Sequence, residues 1–169
     1  MTVQHYFTTR ELVFTALMTA LVFAATYLPH IPIPLGYAHL GDAVIFLLAL
    51  FAPRRAALLA ACIGSALADL LGGFVLWVLP TLIIKFVMAA LVYRIGRMGS
   101  GTAGRTRIIA ALLLASLWMA AAYTLAGAVL YDSVAAALAS SPGLLAEGLA
   151  NSLIAFLLLP ALRERFPRF

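Results

Sequence analysis

The residues best suited to chemistry in this sequence are polar side chains embedded in long apolar stretches. They are the ionisable residues Asp42, Asp69, Lys85 and Glu147, and the amide Asn151 one helical turn after Glu147. An ionisable group inside a lipid bilayer costs at least a few kcal/mol, so it usually faces a charged partner or a water-filled cavity. These side chains therefore predict either a polar binding cavity or a network of charges that only orders the protein.

The composition of the chain is that of an integral membrane protein. Of its 169 residues, 65% are hydrophobic and 10% are charged, and the mean hydropathy is +1.10. Soluble domains usually contain about 25% charged residues. A transmembrane helix needs about 17 to 25 mostly apolar residues, which leaves room for roughly six helices with short connections. We therefore predict an all-α bundle of six transmembrane helices that forms one domain over residues 1–169.

The predicted helices are separated by proline, glycine and polar residues. Their ranges are 12–28, 41–52, 56–71, 81–93, 108–131 and 144–162. Pro29, Pro32 and Pro34 exclude a regular helix after the first segment, because proline lacks the backbone N–H. An irregular loop is therefore expected over residues 29–40, and a polar connection over residues 132–142.

The charged residues indicate how the chain is oriented. Ten of its eleven basic residues are arginines, and in a six-helix bundle all ten fall on one side of the membrane. By the positive-inside rule this side is cytoplasmic and holds both termini, so the 29–42 loop faces outward. The net charge of +5 is thus an orientation signal, and no nucleic-acid partner is expected. The basic loop 94–107 lacks a Walker lysine followed by Ser or Thr, which argues against a nucleotide site there.

Several polar residues map to the outer halves of their helices, below the outward loop. One interpretation is a network in which Lys85 pairs with Asp69 or Glu147 and only orders the bundle. The interpretation that we favour is a pocket for a small planar polar ligand, with Tyr123 as one of its aromatic residues. Its candidate ligand contacts are Tyr37, His39, Asp42, Asp69, Trp77, Lys85, Trp118, Glu147 and Asn151.

Other roles for these residues have less support. Asp42, at the head of the second predicted helix, is expected to accept backbone N–H groups and to meet the positive end of the helix dipole. His39 and Asp42, three residues apart, could bind a metal, but the ligand set is thin and we expect no metal or other cofactor. The sequence contains no HExxH pair, and no histidine in a predicted helix could serve as the base for Ser65 or Ser116. The chain is therefore not expected to be an enzyme.

Small residues recur along one face of the first predicted helix. Ala16, Ala20 and Ala24 are spaced four residues apart, which places them on the same helical face. Such a face lets another helix approach closely in lipid. Spacing alone favours a neighbouring helix of the same chain and leaves a helix of another protein open.

The order of several sequence blocks resembles that of a known transporter family. The blocks are AxxxA in the first helix (Ala16, Ala20), HLGDAVIFL (His39–Leu47), ALADLLGG (Ala66–Gly73) and PTLIIK (Pro80–Lys85). They are similar to those of S components, the substrate-binding subunits of energy-coupling factor (ECF) transporters. The similarity is to the vitamin-uptake group of riboflavin, pyridoxine and hydroxymethylpyrimidine carriers, and it covers essentially the whole chain.

This resemblance implies a prokaryotic, multi-pass protein of the cell membrane with no ATPase of its own. Such a protein binds a vitamin or vitamin precursor near the outer face, under a gate that corresponds here to Leu35–Leu40. It docks through the small-residue face of its first helix, here Ala16, Ala20 and Ala24, on a transmembrane T component bound to two cytoplasmic ATPases. The sequence does not indicate one particular vitamin.

A different class of function stays open. A stand-alone secondary carrier could use Asp69, Lys85 and Glu147 as a proton relay across the membrane. The sequence lacks the internal inverted repeat that many such carriers show, so we place this alternative second.

Overall fold

The described ranges contain six α-helices in the order of the six predicted segments, but the sixth begins well before its predicted start. The computed structural model describes residues 7–29, 31–97 and 104–165. Its elements are α1 (Thr9–Tyr27), β1 (Ile31–Ile33), β2 (Gly36–Ala38), α2 (Gly41–Phe51), α3 (Arg54–Leu71), α4 (Val78–Gly96), α5 (Arg105–Leu130) and α6 (Val134–Arg165). A 3₁₀ turn, Val75–Trp77, leads into α4. His30, residues 98–103 of the basic loop and the tail 166–169 lie outside the described ranges.

Four helical stretches are long and apolar enough to cross a membrane. They are Thr9–Tyr27, Val75–Gly96, Arg105–Leu130 and Val134–Leu162. Helix α2 has 11 residues, which span about 17 Å of a hydrocarbon layer roughly 30 Å thick. Helix α3 has 18 residues but includes Arg54, Arg55 and Asp69. The structure thus supports a multi-pass membrane protein, and six complete crossings stay a prediction.

Helix α2 lies at the centre of the bundle. It packs against α1, α3, α4 and α6, and eight of its 11 residues are buried. Around it, α1 packs on α3, α3 on α4, α4 on α5, and α5 on α6. The outward-facing Leu17, Leu117 and Leu157 are 61%, 58% and 65% exposed. The sequence of α2 is apolar on all sides. A helix of this kind is expected at the centre of a bundle, where every face meets another helix.

Two connections are more regular than the sequence predicted. Residues 31–38 form an antiparallel hairpin in which Pro32 faces Tyr37, and a two-stranded edge tolerates the missing N–H of proline. The polar connection predicted over residues 132–142 is wrong, because α6 begins at Val134 and includes Pro142. Ser133 caps this helix by accepting the N–H of Ala136 at 3.2 Å, and packing against α5 outweighs the loop preference of its Ser and Pro residues.

Arginines mark one end of the bundle. Arg97, after α4, donates from Nη1 to the carbonyl oxygen of Ala52, after α2, at 2.5 Å. The guanidinium of Arg55, at the start of α3, lies 5.8 Å from the ring centre of Phe7, just before α1. These contacts bring the first residues of α1 and α3 to the same end as the last residues of α2 and α4. The hairpin and the 3₁₀ turn join the opposite ends of these helices, so they lie at the other end of the bundle.

Candidate functional site

The β-hairpin of residues 31–38 covers the end of the bundle that lies away from the arginines. At its tip, the backbone N–H of Leu35 donates to Oγ of Ser140 on α6 at 3.0 Å. A Cβ at Gly143 would lie 2.7 Å from Cγ2 of Ile33, and a Cβ at Gly127 would lie 3.0 Å from Cδ1 of Leu35. Larger residues at these two positions would push the hairpin away. The hairpin therefore packs closely against the glycines of α5 and α6.

A cavity lies directly beneath the hairpin. Its free volume is about 50 Å³, well below the roughly 300–1,000 Å³ of most small-molecule sites, so a vitamin-sized ligand would require the hairpin or the surrounding side chains to move apart. Its walls come from the hairpin, the 3₁₀ turn and helices α3, α4, α5 and α6. The aromatic and polar residues that line it are Tyr37, His39, Asp69, Phe74, Trp77, Lys85, Tyr123, Ser140 and Glu147.

Aromatic rings form much of the cavity wall. The ring centres of Tyr37 and Phe74 are 5.0 Å apart, and those of Trp77 and Tyr123 are 5.6 Å apart. Nε1 of Trp77 donates to the hydroxyl of Tyr131 at 3.2 Å, which fixes the orientation of the indole. Rings held in this way offer flat faces and edges to an aromatic ligand.

Asp69 is held at the cavity wall by two hydroxyl groups. The hydroxyl of Tyr37 donates to Oδ1 at 2.9 Å, and Oγ1 of Thr81 donates to Oδ2 at 2.5 Å. Burial and, after it, the neighbouring Asp69 carboxylate raise the pKa of Tyr37 well above its usual value of about 10. The Tyr37 phenol therefore stays protonated and keeps donating to Asp69 over the physiological pH range.

Lys85 forms a buried ion pair with Asp42. Its Nζ lies 2.5 Å from Oδ1 of Asp42 and 5.3 Å from the ring centre of Tyr123. The alternative interpretation, in which Lys85 pairs with Asp69 or Glu147, is thus wrong. The expected capping role of Asp42 is also not observed, because the N–H of Gly41 at the start of α2 donates instead to Nδ1 of His39 at 3.1 Å.

Asn151 joins α6 to the first residues of α2. Its Oδ1 accepts the N–H of Ala43 at 2.9 Å, and its Nδ2 donates to the carbonyl oxygens of His39 at 2.8 Å and Glu147 at 2.9 Å. One turn earlier on α6, Oε1 of Glu147 lies 3.2 Å from Nδ1 of His39. The amide of Asn151 therefore positions the backbone that carries both His39 and Glu147.

Comparison with known proteins identifies the family of this chain. The sequence model of the family described as "ECF-type riboflavin transporter, S component" matches residues 6–164. The chain belongs to this family. The resemblance inferred from the sequence blocks is therefore confirmed, and the protein is an S component, a subunit of a vitamin transporter and not a member of an enzyme family. A protein of Pyrococcus woesei described as "Uncharacterized protein in gap 3'region" is 38% identical over 113 residues, which cover 65% of this chain and 73% of that protein.

The S component places most of the predicted ligand contacts around one cavity. The predicted residues that line it are Tyr37, His39, Asp69, Trp77, Lys85 and Glu147. Asp42 and Asn151 are fully buried behind this wall and hold Lys85 and His39 in place. Trp118 does not line the cavity: it is 36% exposed, and its Nε1 donates to the carbonyl oxygen of Ile84 at 3.2 Å.

Two aromatic or polar lining residues of the S component were not among the pocket residues predicted from the sequence. Phe74 follows the two glycines after α3, and only the aromatic character of that connection pointed to it. Ser140 was hidden because residues 132–142 were interpreted as a connection, whereas the helix places its hydroxyl under the hairpin tip.

Three side chains of the S component carry atoms that could bind a metal. These atoms of His39, Asp42 and Glu147 all lie within 4.8 Å of one another. However, the ammonium group of Lys85 already supplies a cation to Asp42, and the lone pair of His39 Nδ1 already receives the N–H of Gly41. This arrangement favours a donor or proton next to Glu147 over a metal ion.

The alanine face of α1 in the S component is turned away from the bundle. Ala16 and Ala20 are exposed and Ala24 is half-buried. The opposite face packs on α3, where a Cβ at Gly64 would lie 2.8 Å from Cβ of Val22. Spacing alone favoured a helix of the same chain as the partner of this face. Within the described ranges, no helix of the chain covers it.

Proposed function

We propose that this S component is the substrate-capture subunit of an ECF-type ABC importer. In this proposal it binds a small heteroaromatic vitamin or vitamin precursor in the cavity beneath the β-hairpin, near the outer face of the membrane. The observation that carries the proposal is the meeting of the Trp77 and Tyr123 rings with the polar Asp69, Lys85 and Glu147 around one cavity. Rings supply stacking surface and a few polar groups set orientation, as in most small-molecule sites. The family description names riboflavin, which makes it the first ligand to test.

Delivery across the membrane requires partners. S components of ECF transporters work with a T component and ATPases. We propose that the exposed face of Ala16, Ala20 and Ala24 docks on the T component, because small side chains let two helices approach closely in lipid. Two cytoplasmic ATPases would then drive release of the ligand on the arginine side of the bundle, which the positive-inside rule assigns to the cytoplasm of a prokaryotic cell.

The test begins with the protein purified in detergent. The purified chain is denatured, and any small molecule that it retained is identified by mass spectrometry. Binding of riboflavin, pyridoxine and 4-amino-5-hydroxymethyl-2-methylpyrimidine is then measured by calorimetry. A retained heteroaromatic compound, or tight binding of one of the three, supports the proposal. A chain that retains none and binds none contradicts it.

One observation favours the secondary carrier as a second candidate. The contact between Glu147 and His39 lies beside the ion pair of Lys85 and Asp42, and such groups can relay protons in carriers. Proteoliposomes containing the chain alone separate the two functions. Uptake that follows an imposed pH gradient supports the carrier, whereas uptake that requires ATP, the T component and the ATPases supports the S component.

A further inference from the structure

The buried charges around the cavity are not balanced. The residues Asp42, Asp69 and Glu147 are 0%, 7% and 6% exposed, and Lys85 is 1% exposed. Lys85 is already paired with Asp42. Among the described residues around the cavity, His39 is the one other side chain that could carry a positive charge. With every carboxyl group ionised, these residues carry three negative charges against the one positive charge of Lys85, or against two when His39 is also protonated.

Glu147 lacks a hydrogen-bond donor at one oxygen. Its Oε1 is buried and receives no hydrogen bond from any residue in the described part of the chain. Nδ1 of His39, 3.2 Å away, accepts the N–H of Gly41, so it does not donate to this oxygen. Buried acceptors in folded proteins are almost always satisfied by a donor. Since Glu147 lines the cavity, a bound molecule can supply the missing one.

We propose that Glu147 receives a hydrogen-bond donor of the ligand, either an amino group or a protonated ring nitrogen. The site then selects uncharged or cationic nitrogen heteroaromatics over anionic molecules of the same ring type. This inference rests on the proposed function, because it concerns the chemistry of the captured ligand.

The neighbouring groups support this selectivity. A ligand phosphate or carboxylate would have to compete with Asp42 for Lys85, and it would lie close to the carboxyl groups of Asp69 and Glu147. Like charges repel strongly where water is excluded. A protonated ring, in contrast, is attracted both by Glu147 and by the faces of Trp77 and Tyr123.

The experiment compares three matched pairs of ligands on the purified protein. The pairs are 4-amino-5-hydroxymethyl-2-methylpyrimidine, pyridoxine and riboflavin, each with its monophosphate. We expect the parent compound that binds best to bind at least about 100-fold more tightly than its phosphate. The substitution Glu147→Gln keeps the shape of the side chain but removes its charge. It should weaken binding of that parent compound roughly tenfold or more. It should also reduce the ratio between the affinities for the parent compound and for its phosphate.

Asp132→Asn serves as the matched control, since Asp132 is an exposed carboxylate outside the cavity, and it should change neither quantity. If Glu147→Gln does not fold, the ratio measured on the unchanged protein decides alone. Equal affinity for parent and phosphate overturns the inference, and so does a folded Glu147→Gln variant with unchanged affinity and preference; in both cases the proposed function stands. If none of the six compounds binds, the inference is overturned, and the proposed function falls with it only when the purified chain also retains no heteroaromatic compound.

Discussion

Lys85 and Asp42 form an ion pair at the centre of the bundle, with Nζ 2.5 Å from Oδ1 and side chains that are 1% and 0% exposed. The pair ties α4 to the first turn of α2, directly behind the cavity. Taking two charges out of water is costly, and their mutual attraction repays that cost only while both are present. The position of α2, and with it that of His39, therefore depends on the pair staying intact.

Replacing one member of this pair should destabilise the protein strongly. We expect Lys85→Met to cost about 3–5 kcal/mol, because it leaves the Asp42 carboxylate buried and unpaired. Thermal unfolding in detergent measures the change. The double variant Lys85→Met with Asp42→Asn should recover much of the loss, since it removes the stranded charge as well. Equal melting temperatures for the single variant and the unchanged protein would show that the pair contributes nothing.

The two tryptophans should respond differently to ligand. Trp77 lines the cavity and Trp118 does not, so binding of an aromatic compound should quench the fluorescence of Trp77 only. We expect Trp118→Phe to retain the quenching and Trp77→Phe to lose it. Trp77→Phe should also bind the compound roughly tenfold more weakly, because its ring offers less stacking surface. Quenching that persists in Trp77→Phe and vanishes in Trp118→Phe would place the ligand elsewhere.

A larger side chain at Gly143 should weaken the packing of the hairpin on α6. In Gly143→Val the new side chain occupies the space of Ile33, so the hairpin cannot close on the cavity. We expect the ligand to dissociate about tenfold faster, measured by stopped-flow fluorescence, while the helical circular dichroism is unchanged. Gly104→Ala is the control, because a Cβ there meets no atom within 4 Å. Unchanged dissociation in Gly143→Val would mean that the hairpin does not gate the site.

Bulk on the alanine face should abolish transport without affecting capture. We expect Ala16→Trp and Ala20→Trp to bind ligand normally but to lose uptake in cells that co-express the T component and the ATPases, because helices can no longer approach closely. Leu117→Trp adds a similar ring to an exposed position of α5 and should transport normally. Uptake at the normal rate by both alanine variants would remove this face from the docking proposal.

Much of the site could be anticipated because rare residue types stand out in an apolar sequence. Asp69, Lys85 and Glu147 were candidates simply as ionisable groups in predicted helices, and all three line the cavity. Thr8 and Glu11 form the reciprocal hydrogen bonds of a capping box at the start of α1, a pattern that depends only on residues three apart in the sequence. Trp118 could not be separated from Trp77 in this way, because aromatic residues serve equally as cavity walls and as outward-facing anchors.

The sequence by itself determined the membrane character, the number and order of the helices, and the break after α1. These follow from hydropathy, proline chemistry and segment length, which are properties of short stretches. Only the tertiary structure decided that Lys85 meets Asp42, that Glu147 faces His39, and that the hairpin rests on glycines of α5 and α6. Such pairings join residues far apart in the chain, and they depend on how each helix is rotated and how deeply it sits against α2, which no local pattern of residues specifies.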